Sequence, residues 1–329
     1  EEQAKAREQL TAFGFQVSAF LGILPTMRIL VTGSSGTIGT RLCEKLLERG
    51  NDVIGIDWKP NKWSAAIENI TTHINLLNEN DLKAKSFNPQ ADTVIHLAAN
   101  ARVYELVEDP GRARDNILTT FNVLEWARTR GVRKVLFASS RETYGNAGAA
   151  VYREEMADFR NCESPYTASK LAGEALIQAY TRCYGIDHVI FRFSNVYGMY
   201  DDSERVIPLF IRRAQRNDSL TIYGKEKCLD FTYIDDTVDG ILRAVDRFDS
   251  VKNDTYNIAN GKGTTILELA ETVRKLTGST SDIRYEESRT GEVVRFTADI
   301  TKAKEKLGYA PQTSFEDGIR KTVEWYAQY

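Results

Sequence analysis

From Arg28 onward the chain alternates short apolar runs with longer amphipathic stretches. Arg28-Ile29-Leu30-Val31-Thr32 is the first apolar run, and a run of this length next to turn residues reads as a buried strand. A glycine-rich turn follows, then Arg41 to Arg49, which places Leu42, Leu46 and Leu47 on one side of a helix ending at Gly50. The same reading predicts strands over 53–57, 72–75, 92–97, 133–138 and 188–193, and helices over 37–49, 112–129 and 165–184. Strands that alternate with helices point to a parallel sheet wrapped on both sides, with right-handed crossovers. The fold class expected is α/β, with a doubly wound parallel sheet. In the two long helices Ile117, Phe121, Leu124, Leu171, Leu176 and Tyr180 form apolar stripes, suited to packing on the sheet.

The turn after the first strand is Gly33-Ser34-Ser35-Gly36-Thr37-Ile38-Gly39. Strand, glycine-rich turn and helix make a Rossmann-type dinucleotide-binding unit: the glycines allow a tight turn and a close approach of backbone to a pyrophosphate. The helix N-terminus offers free N–H groups and a partial positive charge to the phosphates. The spacing is Gly-x-x-Gly-x-x-Gly rather than Gly-x-Gly-x-x-Gly. The second strand, Asp52 to Asp57, ends in a carboxylate where the adenosine ribose hydroxyls would bind. Asp57 would repel a 2′-phosphate, which favours NAD over NADP, although Lys59 and Lys62 just beyond weaken that exclusion. Ligands of such sheets bind past the carboxyl ends of the strands, where Gly33, Asp57, Leu97, Ser140 and Asn195 all fall.

Two further strings carry candidate chemistry: Ser139-Ser140-Arg141-Glu142-Thr143-Tyr144-Gly145 and Tyr166-Thr167-Ala168-Ser169-Lys170. Tyr166 and Lys170 stand four apart on a helix, so their side chains share a face. A free tyrosine, with a pKa of about 10, is a poor base at neutral pH, and a nearby lysine cation favours the phenolate. Ser140 completes the trio by holding a substrate oxygen beside the tyrosine.

With these residues in order, the chain resembles the extended short-chain dehydrogenase/reductases, specifically the NAD-dependent nucleotide-sugar epimerases and dehydratases, and most of all the UDP-glucose 4-epimerase-like branch. The resemblance runs from Met27 to the C-terminus. It implies that Gly33, Ser35, Gly36, Thr37, Ile38, Gly39, Asp57, Asn75, Leu76, Leu97, Ala98, Ala99, Asn116, Ser139, Tyr166 and Lys170 bind the cofactor NAD. It implies that Ser140, Tyr166 and Lys170 are catalytic, and that Asn195 and Arg289 meet the nucleotide sugar. It also implies a Rossmann domain over 27–194 to which 229–260 returns, a smaller C-terminal substrate-binding lobe from 195–228 and 261–329, and a homodimer paired through four helices. The chain departs from the family where Leu229 replaces an arginine that contacts the diphosphate, where Asn75 replaces an adenine-binding aspartate, and at Arg141 and Glu142.

Composition narrows the setting. At 329 residues with 42% hydrophobic content, one large domain and a smaller lobe can bury a full core. The 43 basic and 46 acidic residues, a net charge of −3, leave no nucleic-acid footprint. Cys43, Cys162, Cys183 and Cys228 have no paired spacing; no metal is expected, and free thiols suit a reducing cytoplasm. No apolar span of about 20 residues marks a membrane helix. Residues 1–26 read as an appended or upstream segment: Glu1 to Leu10 is helix-like, and Phe13 to Leu24 is apolar without the basic flank of a signal peptide.

The reaction these residues favour is 4-epimerisation of a nucleotide sugar, UDP-linked, through a 4-keto intermediate. A 4,6-dehydratase or a decarboxylase using Glu142 remains open, as does a non-catalytic NAD-binding protein. In the dehydratases the position of Glu142 resembles a glutamate that removes the C5 proton, with an acid just before it. Here Arg141 stands in that place. The alternative is a structural ion pair, and pairing would lower the glutamate's pKa.

Overall fold

A computed structural model describes residues 26–84 and 87–328. The appended segment ahead of Thr26 therefore lies outside the described residues. Along the chain come β1 (Arg28–Thr32), α1 (Thr37–Glu48), β2 (Asp52–Asp57), α2 (Ala65–Ile70), β3 (Thr71–His73), α3 (Glu79–Lys83), β4 (Thr93–His96), α4 (Val103–Glu108), α5 (Gly111–Thr129) and β5 (Lys134–Ser140). After α6 (Pro165–Tyr184) and β6 (Asp187–Phe193) follow β7 (Asn195–Tyr197), α7 (Val206–Gln215), β8 (Leu220–Tyr223), β9 (Cys228–Tyr233), α8 (Ile234–Asp246), α9 (Phe248–Val251) and β10 (Asp254–Ile258). The chain closes with β11 (Gly263–Thr265), α10 (Ile266–Thr277), β12 (Ile283–Glu286), α11 (Thr301–Leu307) and α12 (Phe315–Tyr326).

Seven parallel strands in the order β3-β2-β1-β4-β5-β6-β10 form the central sheet. The first six follow the doubly wound order of dinucleotide-binding folds. Alternate residues of its strands serve two cores: Ile29, Val31, Leu136, Val189 and Phe191 pack with Leu42 and Leu46 of α1, whereas Leu30, Val94, Val135, Phe137 and Ile190 pack with Leu124 of α5 and Ile177 of α6. Burial on both faces is why these strands read as unbroken apolar runs. Beyond the sheet lie a three-stranded sheet, β11-β9-β7, and the parallel pair β12-β8. β10 joins β6 in register, Tyr256 opposite Phe191, after the chain has built β7 to β9.

α6 carries its own boundary signals. The Ser164 side chain accepts from the Thr167 amide, Pro165 opens the first turn, and Gly185 closes the helix in the left-handed conformation. Gly173 sets the helix close on the sheet, since a Cβ there would lie 2.6 Å from Cζ of Phe137. On the long helices Leu124 and Tyr180 are buried while Leu118 and Phe121 point outward. The third strand is shorter than the expected 72–75, and helices α2, α3 and α4 have five or six residues each, too short for a helical period to show. Among the described residues, no helix is long and apolar enough to cross a membrane.

Two buried histidines bear on stability. His96 sits between the hydroxyls of Thr32 (2.7 Å) and Thr120 (3.3 Å), and burial lowers its pKa to about 3. His188 lies beside Thr181 (2.7 Å) and Gln178 (3.2 Å), and burial lowers its pKa to about 4. Unfolded, each titrates near pH 6.5. Below that pH the unfolded chain binds more protons than the folded one. The stability that the two neutral rings carry is thus present above about pH 6.5 and is lost as pH falls, at up to about 1.4 kcal/mol per pH unit for each. Urea titrations between pH 7 and 5 should show this slope, and His96→Asn or His188→Asn should each reduce it. A slope that neither variant changes would rule the histidines out.

Candidate active site

The glycine turn is built by contacts that admit no side chain. A Cβ at Gly39 would fall 1.9 Å from the Gly33 carbonyl oxygen, and one at Gly33, where φ is +76°, would fall 2.8 Å from the Ala98 amide nitrogen. Gly36 is exposed and precedes α1 without a side-chain cap, so the first N–H groups of that helix are left for a ligand. The Ser35 hydroxyl is buried with no partner among the described residues. Asp57 accepts from the amides of Ser35 and Lys59, both at 3.0 Å, which fixes its carboxylate beside the turn. Lys62 is paired with Asp202, so its charge is already engaged. An open backbone cradle, an orphaned hydroxyl and a pinned carboxylate fit a dinucleotide.

Of the other cofactor candidates, Ile38, Leu97 and Ala99 line the cavity described below. The Thr37 hydroxyl donates to the Tyr200 carbonyl (3.0 Å), and the Ala98 amide to Thr32 (3.3 Å). Asn116 is buried and fully engaged: it accepts from the Asn100 amide (2.7 Å) and donates to the Asn100 carbonyl (3.0 Å) and to Ser169 (3.2 Å), tying the loop after β4 to α6 next to Lys170. Asn75 and Leu76 stand apart from the cavity, beyond β3. The Asn75 side chain accepts from the Leu77 amide (3.1 Å), and the Leu76 carbonyl takes a bond from Asn122 (2.8 Å).

A cavity of about 330 Å³ runs from Ile38 and Leu97, past Ser140, Tyr166 and Lys170, to Tyr223 and Arg289. Lys170 Nζ donates to the Ala138 carbonyl (2.8 Å) and lies 5.8 Å from the centre of the Tyr166 ring. Burial lowers the lysine's pKa to about 8, with Glu174 opposing the shift. Burial also raises the phenol of Tyr166, against the pull of the Ser140 hydroxyl and the positive charges of Arg205 and Arg141. The sequence expects Lys170 to lower the Tyr166 pKa; that expectation is corrected, because burial makes the net shift upward and the opposing pull comes first from Ser140, the lysine ammonium being directed at the β5 backbone. Ser139 lines the same cavity, but its hydroxyl donates to Glu174 (2.5 Å), which also pairs with the buried Arg192 (2.7 Å).

The far wall holds charge. Arg141 Nη2 meets Glu142 Oε1 at 2.8 Å, with both side chains buried. Pairing pulls the Glu142 pKa down as expected, but burial is the larger effect and the net shift is upward; the expectation of a lowered value is corrected on that ground. Lys227 pairs with Glu292, and both line the cavity. Leu229 lines it too, and Lys227, two residues earlier, is a cation the motif reading passed over. The Arg289 guanidinium lies over the rings of Tyr223 and Tyr104, 4.1 and 5.0 Å from their centres. Asn195 lines the cavity while its amide donates to the Asp230 carbonyl (3.1 Å). Arg205 and Tyr104 lay in stretches without a recognisable motif.

A glycine cradle with an acidic strand end, opening on a cavity with a serine, a tyrosine and a lysine, defines an enzyme class: the NAD-dependent extended short-chain dehydrogenase/reductases. Within that class the chain belongs to the NAD dependent epimerase/dehydratase family, whose model matches residues 29–259. A UDP-glucose 4-epimerase from Thermotoga maritima, solved with UDP-glucose, superimposes with a TM-score of 0.85 at 32% identity, over 92% of this chain and 99% of that one. A UDP-glucuronic acid 4-epimerase from Bacillus cereus, solved with UDP-glucuronic acid and NAD, gives a TM-score of 0.83 at 28% identity, over 92% and 99%. A dTDP-glucose 4,6-dehydratase from Haemophilus influenzae is 30% identical over 332 residues, 91% of this chain and 98% of that protein. Epimerases and dehydratases both stand among the relatives, and the cofactor of the family is NAD.

Asp57 carries a prediction. Titration with the two dinucleotides should show NAD bound more tightly than NADP, and Asp57→Ala should narrow the difference. NADP binding equally well to the unaltered protein would refute the assignment of Asp57 to the ribose.

Proposed function

We propose that the protein is a nucleotide-sugar 4-epimerase acting on a UDP-linked hexose, working as a cytoplasmic homodimer paired through α5 and α6. The observation that carries the reading is Ser140, Tyr166 and Lys170 at one stretch of the cavity, with an arginine in place of the acid that dehydration would need. Tyr166 takes the proton from the sugar 4-hydroxyl, and Ser140 donates a hydrogen bond to the same oxygen. Lys170 supports the tyrosine and the cofactor ribose. NAD, held at the glycine cradle, would supply the hydride transfer from C4 and back to the opposite face of the sugar. Arg289, held against the rings of Tyr104 and Tyr223, offers its N–H groups to the diphosphate. The outward Leu118 and Phe121 on α5 supply apolar surface for a partner copy.

The second reading, dehydration, rests on Glu142, buried at the cavity with a raised pKa. It needs a proton donor for the water leaving C6, and an arginine guanidinium does not serve as one. Turnover in heavy water separates the two. A 4-epimerase leaves the C5 proton in place. Deuterium at C5 with a 4-keto-6-deoxy product, abolished in Glu142→Gln, would establish dehydration instead.

A further inference from the structure

Arg141 and Glu142 meet through a single contact, Nη2 to Oε1 at 2.8 Å. That leaves Arg141 Nη1 and Glu142 Oε2 buried without a hydrogen-bond partner among the described residues. Both residues line the cavity and both are more than nine-tenths buried. The neighbouring charges do not relieve them: Lys227 and Glu292 are paired with each other. The guanidinium lies over the ring of Phe296, 5.6 Å from its centre, and Phe296 is itself stacked with Tyr144 and Tyr152. The pair is therefore held in place with one donor and one acceptor open. An unsatisfied buried polar group is costly, more so when charged, and such a pair is made good by a ligand group that accepts one bond and donates one.

We propose that Arg141 and Glu142 together read the 6-hydroxyl of the sugar and so select a neutral hexose against a uronate or a 6-deoxy sugar. This rests on the nucleotide-sugar reading of the cavity. A hydroxyl accepts from Nη1 and donates to Oε2. A carboxylate only accepts and meets the negative oxygen of Glu142. A methyl group leaves both atoms unpaired. The two atoms are recessed in the wall, so the group that reaches them extends from the ring on a rotatable bond. The 6-hydroxymethyl does this, and a hydroxyl fixed to a ring carbon does not. Glu142 is separated from Ser140 by one residue, and its amide donates to the Ser140 hydroxyl (3.2 Å). The pair is thus anchored beside the oxygen on which Tyr166 acts.

The test is calorimetric binding of glucose, 6-deoxyglucose, 3-deoxyglucose and glucuronate, each as the UDP and the dTDP conjugate, to the NAD-loaded full chain. Conversion is followed separately by NMR. On the base that binds, glucose and 3-deoxyglucose should bind at least about tenfold tighter than 6-deoxyglucose and glucuronate, the loss expected for leaving buried polar groups unpaired. In Glu142→Gln the side-chain oxygen stays toward Arg141 Nη2, which needs an acceptor, and the amide nitrogen turns outward. Two donors then face the sugar, and glucuronate should gain about tenfold or more relative to glucose. That gain is a change a merely structural pair would not produce. Equal binding of glucose and 6-deoxyglucose, or a loss with 3-deoxyglucose instead, overturns the proposal, and the unaltered protein alone decides this if the variant does not fold. Conversion of glucose without the ranking sinks the inference and keeps the epimerase reading. The ranking without conversion does the reverse. Binding of none of the conjugates overturns both.

Discussion

Tyr166→Phe is expected to lower turnover by about 10²–10⁴-fold, the range for losing a positioned acid–base group, while NAD binding stays near normal. The phenyl ring keeps the shape of a buried side chain whose hydroxyl faces Ser140 and the cavity, and removes only the proton acceptor. Stopped assays with the natural substrate and a parallel NAD titration separate the two effects. Turnover within threefold of the unaltered protein would show that another group takes the proton. In the folded protein the pull on the Tyr166 phenol comes first from Ser140, so Ser140→Ala should slow turnover and also move the rising limb of the pH–rate profile to higher pH.

Gly39→Ala is expected to abolish measurable NAD binding and to destabilise the protein. The added Cβ would stand 1.9 Å from the Gly33 carbonyl oxygen and 2.9 Å from Cα of Ser34, far inside contact distance, with backbone rather than a movable side chain in the way. Relief requires α1 to withdraw from the turn, which spoils the packing of Leu42 and Leu46 and opens the cradle. Overpacking of this kind costs about 1–3 kcal/mol or more. Gly50→Ala is the control: there φ is +77° but nothing lies within 4 Å of the new Cβ, so strain appears without loss of the cradle. Equal NAD affinity in Gly39→Ala and the unaltered protein would contradict the packing argument.

The parts of this molecule that the sequence made legible are those with a strong local signal. The unbroken apolar runs of β1, β4, β5 and β6 announced buried parallel strands. The glycine turn, Asp57, Ser140, Tyr166 and Lys170 stood in readable strings, and the fold places all of them along the carboxyl ends of one sheet. What stayed hidden depends on distance along the chain. Asn116 meets Ser169, Lys227 meets Glu292, and Arg205 acts on Tyr166; no local period or motif records such meetings. The direction of the Glu142 shift was also out of reach, because pairing was visible in Arg141 beside it and burial was not.

The return of β10 to the central sheet bears on how the protein is made. On the ribosome, β6 emerges as His188-Val189-Ile190-Phe191-Arg192-Phe193 with one edge unpaired, and its neighbour arrives only after everything from Asn195 to Asn253 has been synthesised. Until then a sticky strand edge faces solvent. Fragments that stop short of Ile258, including any cut just after β6 to isolate the nucleotide-binding half, should therefore accumulate in inclusion bodies, whereas a chain that reaches past Ile258 closes that edge with its own strand.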